Sequence, residues 1–441
     1  METFQPAQPL VSFEDLLQNT TQFDKVFPKR INHLEMIVQN SLTRITTKAQ
    51  ILEDAKQTRI IIHKSVLALI NAFLSIKREF GTPIEKDLYH GMTREQFIER
   101  LILKRPLSFV GPDDQTLARD TNGSPIPNAS ELWPLVGTTR ETKPLILQDY
   151  LSYDEIAISA LLGVSSPTYF INSGGRFNLG NPGNPGEYTE HGIYIGLVGP
   201  RFEIDDQMES RFLVLNGKVC TAERGYGFHD VPKNEEQAIL QMWANFYNVK
   251  DPESGRYGFP VVPASTTSKL DMDLYKKRIG ITLETFLLEA EARGREAGRY
   301  VHAFLVGLGL GVWQIDPGQK SAYIETLIST IQSLKTSFLE VVEVSWVVDE
   351  WEGGSIWVIY AKNKNKVQVR FTREDPAASR DEDRLLVACY AWDGNSFPGN
   401  EYWMGCLSAS GDPAAASCST IPYLQNPYIN PFTSNIFPIG K

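Results

Sequence analysis

Cysteine is scarce in this chain. There are four in 441 residues, Cys220, Cys389, Cys406 and Cys418. No two form a C-x-x-C pair, and no histidine stands at zinc spacing from them. That leaves no disulfide framework and no zinc motif, so ordinary thiols in a reducing compartment are expected. Long apolar runs are missing too: none reaches 18 residues, and no membrane-spanning helix is expected. The start, Met1 to Gln5, has neither a basic segment nor an apolar one. A cytoplasmic protein is expected, or one exported by a route that reads no such signal. Positive charge is in deficit, with 43 Lys and Arg against 53 Asp and Glu, a net charge of −10 and a pI near 5.3. A nucleic-acid binder or membrane-surface binder needs a basic face, so neither partner is expected. G-x-S-x-G is absent, and none of His33, His63, His90, His191, His229 and His302 accompanies a Ser or Cys nucleophile signature. No metal and no cofactor is expected.

What is present is an ordinary globular composition, 42% hydrophobic and 22% charged. Residues 1–140 read as a mostly helical region. Ser12 to Asp15 fits a capping box. Apolar residues recur at helical spacing through Leu34, Ile37, Val38 and Leu42, then Ile61, Ile62, Val66, Leu69, Ile70 and Phe73. Another helix is expected over Arg94 to Leu103, and an exposed loop over Gly111 to Asn128. Beyond residue 141 helices and strands alternate. Ser152 to Glu155 opens a helix that Gly163 closes. Strands are expected at Ile193 to Val198, Arg211 to Leu215, Val301 to Val306, Val341 to Val348 and Leu385 to Ala391. Ile356 to Ala361 and Val367 to Phe371 form a hairpin. Buried strands alternating with helices imply a three-layer α/β domain with helices on both faces of a mixed sheet. Ligands in such sheets sit beyond the carboxyl ends of strands.

Two loops stand at such ends. Gly307-Leu308-Gly309-Leu310-Gly311-Val312-Trp313 joins an apolar strand to a helix near Gln319. Its glycines let the backbone approach an anion, and its N–H groups suit a diphosphate. The third glycine comes too early for a dinucleotide fingerprint. Asp316 follows, either as a cap before Pro317 or as a carboxylate beside the diphosphate. The second loop packs Asp393, Asn395, Asn400 and Glu401 into nine residues among Trp392, Tyr402 and Trp403. Amides with carboxylates suit a hydroxyl-rich ligand such as ribose, although an Asx-turn network would use the same residues. Ser410 to Ala416 reads as a helix start with Asp412 as its cap. Asn172, Arg176 and Asn178 form a third polar cluster.

These segments resemble a known family. Val306 to Trp313, preceded by the helix Leu283 to Gly298, resembles the phosphate-loop half of a macrodomain, the ADP-ribose-binding fold. Leu385 to Ala391 with Asp393 to Glu401 and Ser410 to Ala416 resembles the other half. More narrowly, residues 145–441 look like the arginine-specific, MavL-like macrodomain group, which removes ADP-ribose from arginine, including on ubiquitin. The loop order is reversed relative to an ordinary macrodomain, and the G-G-G with paired Glu of poly(ADP-ribose) glycohydrolases is missing. The resemblance implies a catalytic macrodomain-like domain over 141–441 and an ADP-ribosylarginine hydrolase. Its partners would be ADP-ribose and an ADP-ribosylated protein, and the chain a monomer. The backbone of 307–311 would hold the diphosphate and Asn395 and Asn400 the ribose, with Val312, Trp313 and Asn172 as further ADP-ribose-binding residues. Asp316, then Glu401 or Asp393, would be the catalytic acids. A non-catalytic ADP-ribose reader and a nucleotide-sugar or dinucleotide enzyme are the alternatives.

Overall fold

Three consecutive isoleucines, Ile60 to Ile62, begin the sheet. Their helical spacing with Val66 and Leu69 predicts one helix, but in the computed structural model the run splits. Strand β1 is Arg59–His63, and a helix follows at Lys64–Phe80. All three isoleucines are fully buried, because β1 has a strand on each side and is covered on both faces. The described residues are 7–24, 32–40, 44–109, 118–202, 204–228, 230–250, 255–348, 355–380 and 383–440. Met1 to Gln5, His229 and the first part of the expected loop at Gly111 lie outside them.

The other strands are β2 Leu162–Tyr169, β3 His191–Leu197, β4 Val214–Leu215, β5 Lys269–Leu270, β6 Val301–Val306, β7 Leu339–Ser345, β8 Ile356–Tyr360, β9 Lys366–Thr372, β10 Leu385–Ala391 and β11 Ile436–Ile439. Nine form one sheet in the order β11-β1-β2-β3-β10-β6-β7-β9-β8; β4 and β5 pair apart. Strands β3, β10, β6, β7 and β9 run parallel to one another, whereas β2 and β8 run antiparallel to their neighbours. This is a mixed α/β architecture. The expected strands at 301–306 and 385–391 are matched at both ends, as is the helix Arg94–Leu103. The expected strand at Arg211 is instead a helical turn, Ser210–Leu213, running into β4.

Strand β2 escapes a sequence reading because it contains Pro167. The proline is tolerated there since β1 pairs only with residues 162–165, leaving no partner on that side to need its N–H. Nor does Gly163 close the preceding helix. It lies inside β2, where a side chain would collide with Leu197 and Ile61.

Both faces of β10 are covered. On one side Cys389 lies by Val306 and Tyr323, under the helices Met272–Ala297 and Gln319–Ser333. On the other, Tyr390 donates to Gln425 and packs on Tyr194, under the helices Gly411–Cys418 and Ile421–Leu424. The residues before 140 do not build a separate core. Ile60 to Ile62 share one apolar cluster with β3, β6 and β10. The helix Phe13–Asp24 contributes Phe23, which packs on Trp403 at 5.2 Å and Phe397 at 6.0 Å.

Candidate active site

Three loops leave the carboxyl ends of adjacent parallel strands: 198–202 after β3, 392–401 after β10 and 307–318 after β6. They touch. A Cβ added at Gly199 would land on the Gly309 nitrogen and the Leu308 carbonyl carbon. One at Gly309 would lie 3.1 Å from Pro200, and one at Gly394 2.7 Å from Val198. The glycine loop and the Asp393 loop therefore flank a common wedge, residues 198–200. Arg278, on the helix Met272–Ala297, anchors that wedge by donating to the Val198 carbonyl and pairing with Glu209 at 2.9 Å, all fully buried.

The glycine loop has the expected strand-turn-helix form, with Gly309 at φ +74°, a conformation that favours glycine. Two of its amides close the turn. The Leu308 N–H donates to Val306 and the Leu310 N–H to Gly307, tightening the turn. Among the described residues the N–H groups of Gly311, Val312 and Trp313 have no acceptor, and Gly311 and Val312 face solvent. Trp313 is buried with its ring under the Arg201 guanidinium at 4.8 Å. Asp316 serves the turn: its carboxylate accepts the Gly318 N–H at 2.7 Å, and Gly318 rather than Asp316 is the N-cap.

Asp393, Glu401 and Asp412 do converge. One carboxylate oxygen from each lies within 4.8 Å of the others. Glu401 is 7% exposed and Asp412 5%. Asp412, expected as a helix cap, is the second residue of the helix Gly411–Cys418, whose cap is Ser410; its Oδ2 accepts the Asp393 N–H at 3.2 Å. The Asp393 carboxylate accepts the Asn395 and Ser396 N–H groups through one oxygen. Its other oxygen, with Glu401 Oε2, Asp412 Oδ1 and Asn400 Oδ1, is buried and has no hydrogen-bond partner among the described residues.

Burial raises all three acids. For Asp393 the charges of Arg201 and Arg105 and the two loop N–H groups oppose it. For Glu401 burial is reinforced by the charges of Asp412 and Asp393, and it rises well above the carboxylate range. Burial and the Asp393 charge push Asp412 up to about 8. The Glu401 and Asp412 carboxyls lie close enough for the Asp412 charge to raise Glu401's hold on a proton. Among the described residues this is the one group that could ligate a metal, and hard oxygens of this kind suit Mg²⁺ or Ca²⁺. The charges of Arg201 and Arg105 act on the Asp393 carboxyl of this group.

Arg105, Arg201 and Asp412 are the residues that sequence reasoning missed. Arg105 follows the helix Arg94–Leu103, stacks on Trp392 at 4.4 Å and donates to the Gly394 carbonyl. Asn172 lies elsewhere. Its amide donates to Asn181 and accepts from Gly174, bracing its own loop beside Cys418 at the far end of the small-residue helix. Asn178 does the same work against Ala414, and Arg176 is exposed.

The comparisons with known proteins decide the family. The family model described as MavL-like, an ADP-ribosylhydrolase family, matches residues 14–436. The chain belongs to the MavL-like ADP-ribosylhydrolase family. Two Drosophila melanogaster relatives are similar over most of their length. ADP-ribosylarginine hydrolase CG3568 is 35% identical over 390 residues, covering 84% of this chain and 75% of the relative. ADP-ribosylarginine hydrolase CG2909 is 32% identical over 453 residues, covering 97% of this chain and 86% of the relative. Membership in the MavL-like family begins well before residue 145, where the resemblance in the sequence starts. It takes in β1, Arg105 and the N-terminal helices that pack on the Asp393 loop.

Proposed function

We propose that this chain hydrolyses ADP-ribosylarginine on modified proteins, ubiquitin among them, using a macrodomain-like cleft. The observation that carries this reading is the buried convergence of Asp393, Glu401 and Asp412 next to a glycine loop with three open amides. The amides of Gly311, Val312 and Trp313 take the diphosphate. Asn395 and Asn400 face the ribose that carries the arginine. Asp393, whose carboxyl burial raises while the charges of Arg201 and Arg105 oppose that rise, stabilises positive charge in its ionised form as the bond from the anomeric carbon to the guanidine nitrogen breaks. The Glu401 and Asp412 pair accepts a proton from the attacking water, whose oxygen bonds the anomeric carbon. The pair returns a proton to the departing guanidine, so one water is added across the bond. Asp316 and Asn172, candidates by sequence, support their own turns in this mechanism.

Trp346 closes the other end of the ligand. It stands at the carboxyl end of β7, next to β6, and Val347 lines the underside of Gly307. The residue is 49% exposed, adopts φ +62° and lies over the Arg373 guanidinium at 5.6 Å. A left-handed conformation in a bulky residue is strained, which is characteristic of ligand sites. The exposed indole is placed to stack on adenine.

The test pairs two measurements on the full chain: release of ADP-ribose from an arginine-modified protein, and calorimetry with free ADP-ribose, NAD and a UDP-sugar. Turnover with ADP-ribose bound most tightly is expected. Binding without turnover would make the protein a reader, and tighter binding of NAD or the UDP-sugar would make it a different nucleotide enzyme.

A further inference from the structure

The two edges of the sheet are treated differently. Strand β11 carries Pro438, which removes one N–H, and Arg59 covers Phe437 at 3.8 Å. Proline is a device by which proteins block edge-to-edge pairing. Strand β8, at the other edge, has no such device. Ile356-Trp357-Val358-Ile359-Tyr360 contains no charge, no proline and no bulge. Ile356, Val358 and Tyr360, on one face, are 60%, 49% and 56% exposed, while on the other face Ile359 packs on the core and Trp357 on Phe371.

The hydrogen-bond pattern shows which groups the edge presents. The Phe371 N–H donates to Ser355 and the Ala361 N–H to Asn365. Opposite residues exchange bonds at every second position, so Ser355, Trp357, Ile359 and Ala361 face β9. The N–H and C=O groups of Ile356, Val358 and Tyr360 therefore point outward. That set is symmetric about Val358. If two copies pair antiparallel across a twofold axis there, Val358 faces its own image and Ile356 faces Tyr360. Each of the three pairs can exchange two bonds, about six in all.

The charges match this register. The sequence ahead of β8 carries Asp349, Glu350 and Glu352, and the turn after it carries exposed Lys362 and Lys364, with Lys366 beyond. In chain order acids precede β8 and lysines follow it, a sequence pattern that favours an antiparallel over a parallel pair of copies.

We infer that β8 is a self-association edge, through which two copies of this chain join their sheets into one across a twofold axis. The monomer expected from the sequence would then be the dissociated form. Light scattering coupled to size exclusion, and sedimentation velocity on the full chain over a hundredfold range of concentration, test it. A twofold mass at high concentration is expected. Val358→Lys sets like charges opposite each other on the axis and should shift dissociation at least tenfold towards monomer, with unfolding temperature and circular dichroism unchanged. Lys362→Glu with Lys364→Glu should weaken association as well, and added salt should weaken the wild type. A wild-type chain that is monomeric throughout overturns the inference, and so does a folded Val358→Lys variant that dimerises as the wild type does.

Discussion

At the level of single residues, Asp412 shows most clearly what a site demands of a side chain. Its carboxyl rises from an ordinary 3.8 to about 8 because it is buried beside Asp393. The sign of the stability effect follows. Below the unfolded value both states are protonated. As pH rises from about 4 to about 8 the unfolded chain ionises first, so stability falls across that window. Asp412→Asn removes the effect. Thermal unfolding at pH 8 should show the variant more stable than the wild type, while hydrolysis falls by roughly 10²–10⁴-fold, the usual worth of general acid–base help. A variant with full turnover would remove Asp412 from the mechanism. Asp393 and Glu401 stand out in the sequence as candidates because turn-forming residues and aromatics crowd around them. Asp412 does not, since Ser-Gly-Asp-Pro is also an ordinary helix start and no local pattern marks a side chain whose partner lies nineteen positions away.

At the level of elements, the glycine loop was readable down to its ends, because a strand rich in apolar residues followed by alternate glycines has few other solutions. Which amides stay open was not readable, since that depends on the turns closed by Leu308 and Leu310. Gly309→Ala forces a left-handed alanine, worth about 1–2 kcal/mol, and sets its Cβ against Pro200. Calorimetry should show ADP-ribose binding weakened about tenfold, with kcat less affected. Helix packing depends on a buried ion cluster that no spacing announces. Lys77 on the helix Lys64–Phe80 meets Glu85 at 2.7 Å, Asp154 at 2.8 Å and Glu235 at 2.5 Å, joining four helices. Lys77→Met leaves three acids facing one another. It should cost about 3 kcal/mol, the low end for breaking a buried pair because two of the acids are partly exposed. Chemical denaturation reads this directly.

At the scale of the whole molecule, the N-terminal helices brace the site. Phe13, Leu16, Phe23, Leu34 and Ile51 form one apolar cluster with Phe397, Tyr402 and Trp403, the residues that hold Asn400 and Glu401 in place. Phe23→Ala empties the centre of that cluster. A loss of about 3–5 kcal/mol in denaturant unfolding is expected, together with reduced kcat although Phe23 touches no substrate. A variant with this loss of stability but wild-type kcat under native conditions would show that the brace has no bearing on the chemistry.

By itself the sequence determined the alternation of helices and buried strands and the two loops at strand ends. Those are local matters of period and turn chemistry. Only the tertiary structure decided that β3, β10 and β6 are neighbours, that the charges of Arg105 and Arg201 act on Asp393, and that Asp412 joins Asp393 and Glu401. Strand order is a property of long-range pairing, and an acid's proton affinity is a property of everything that excludes water from around it.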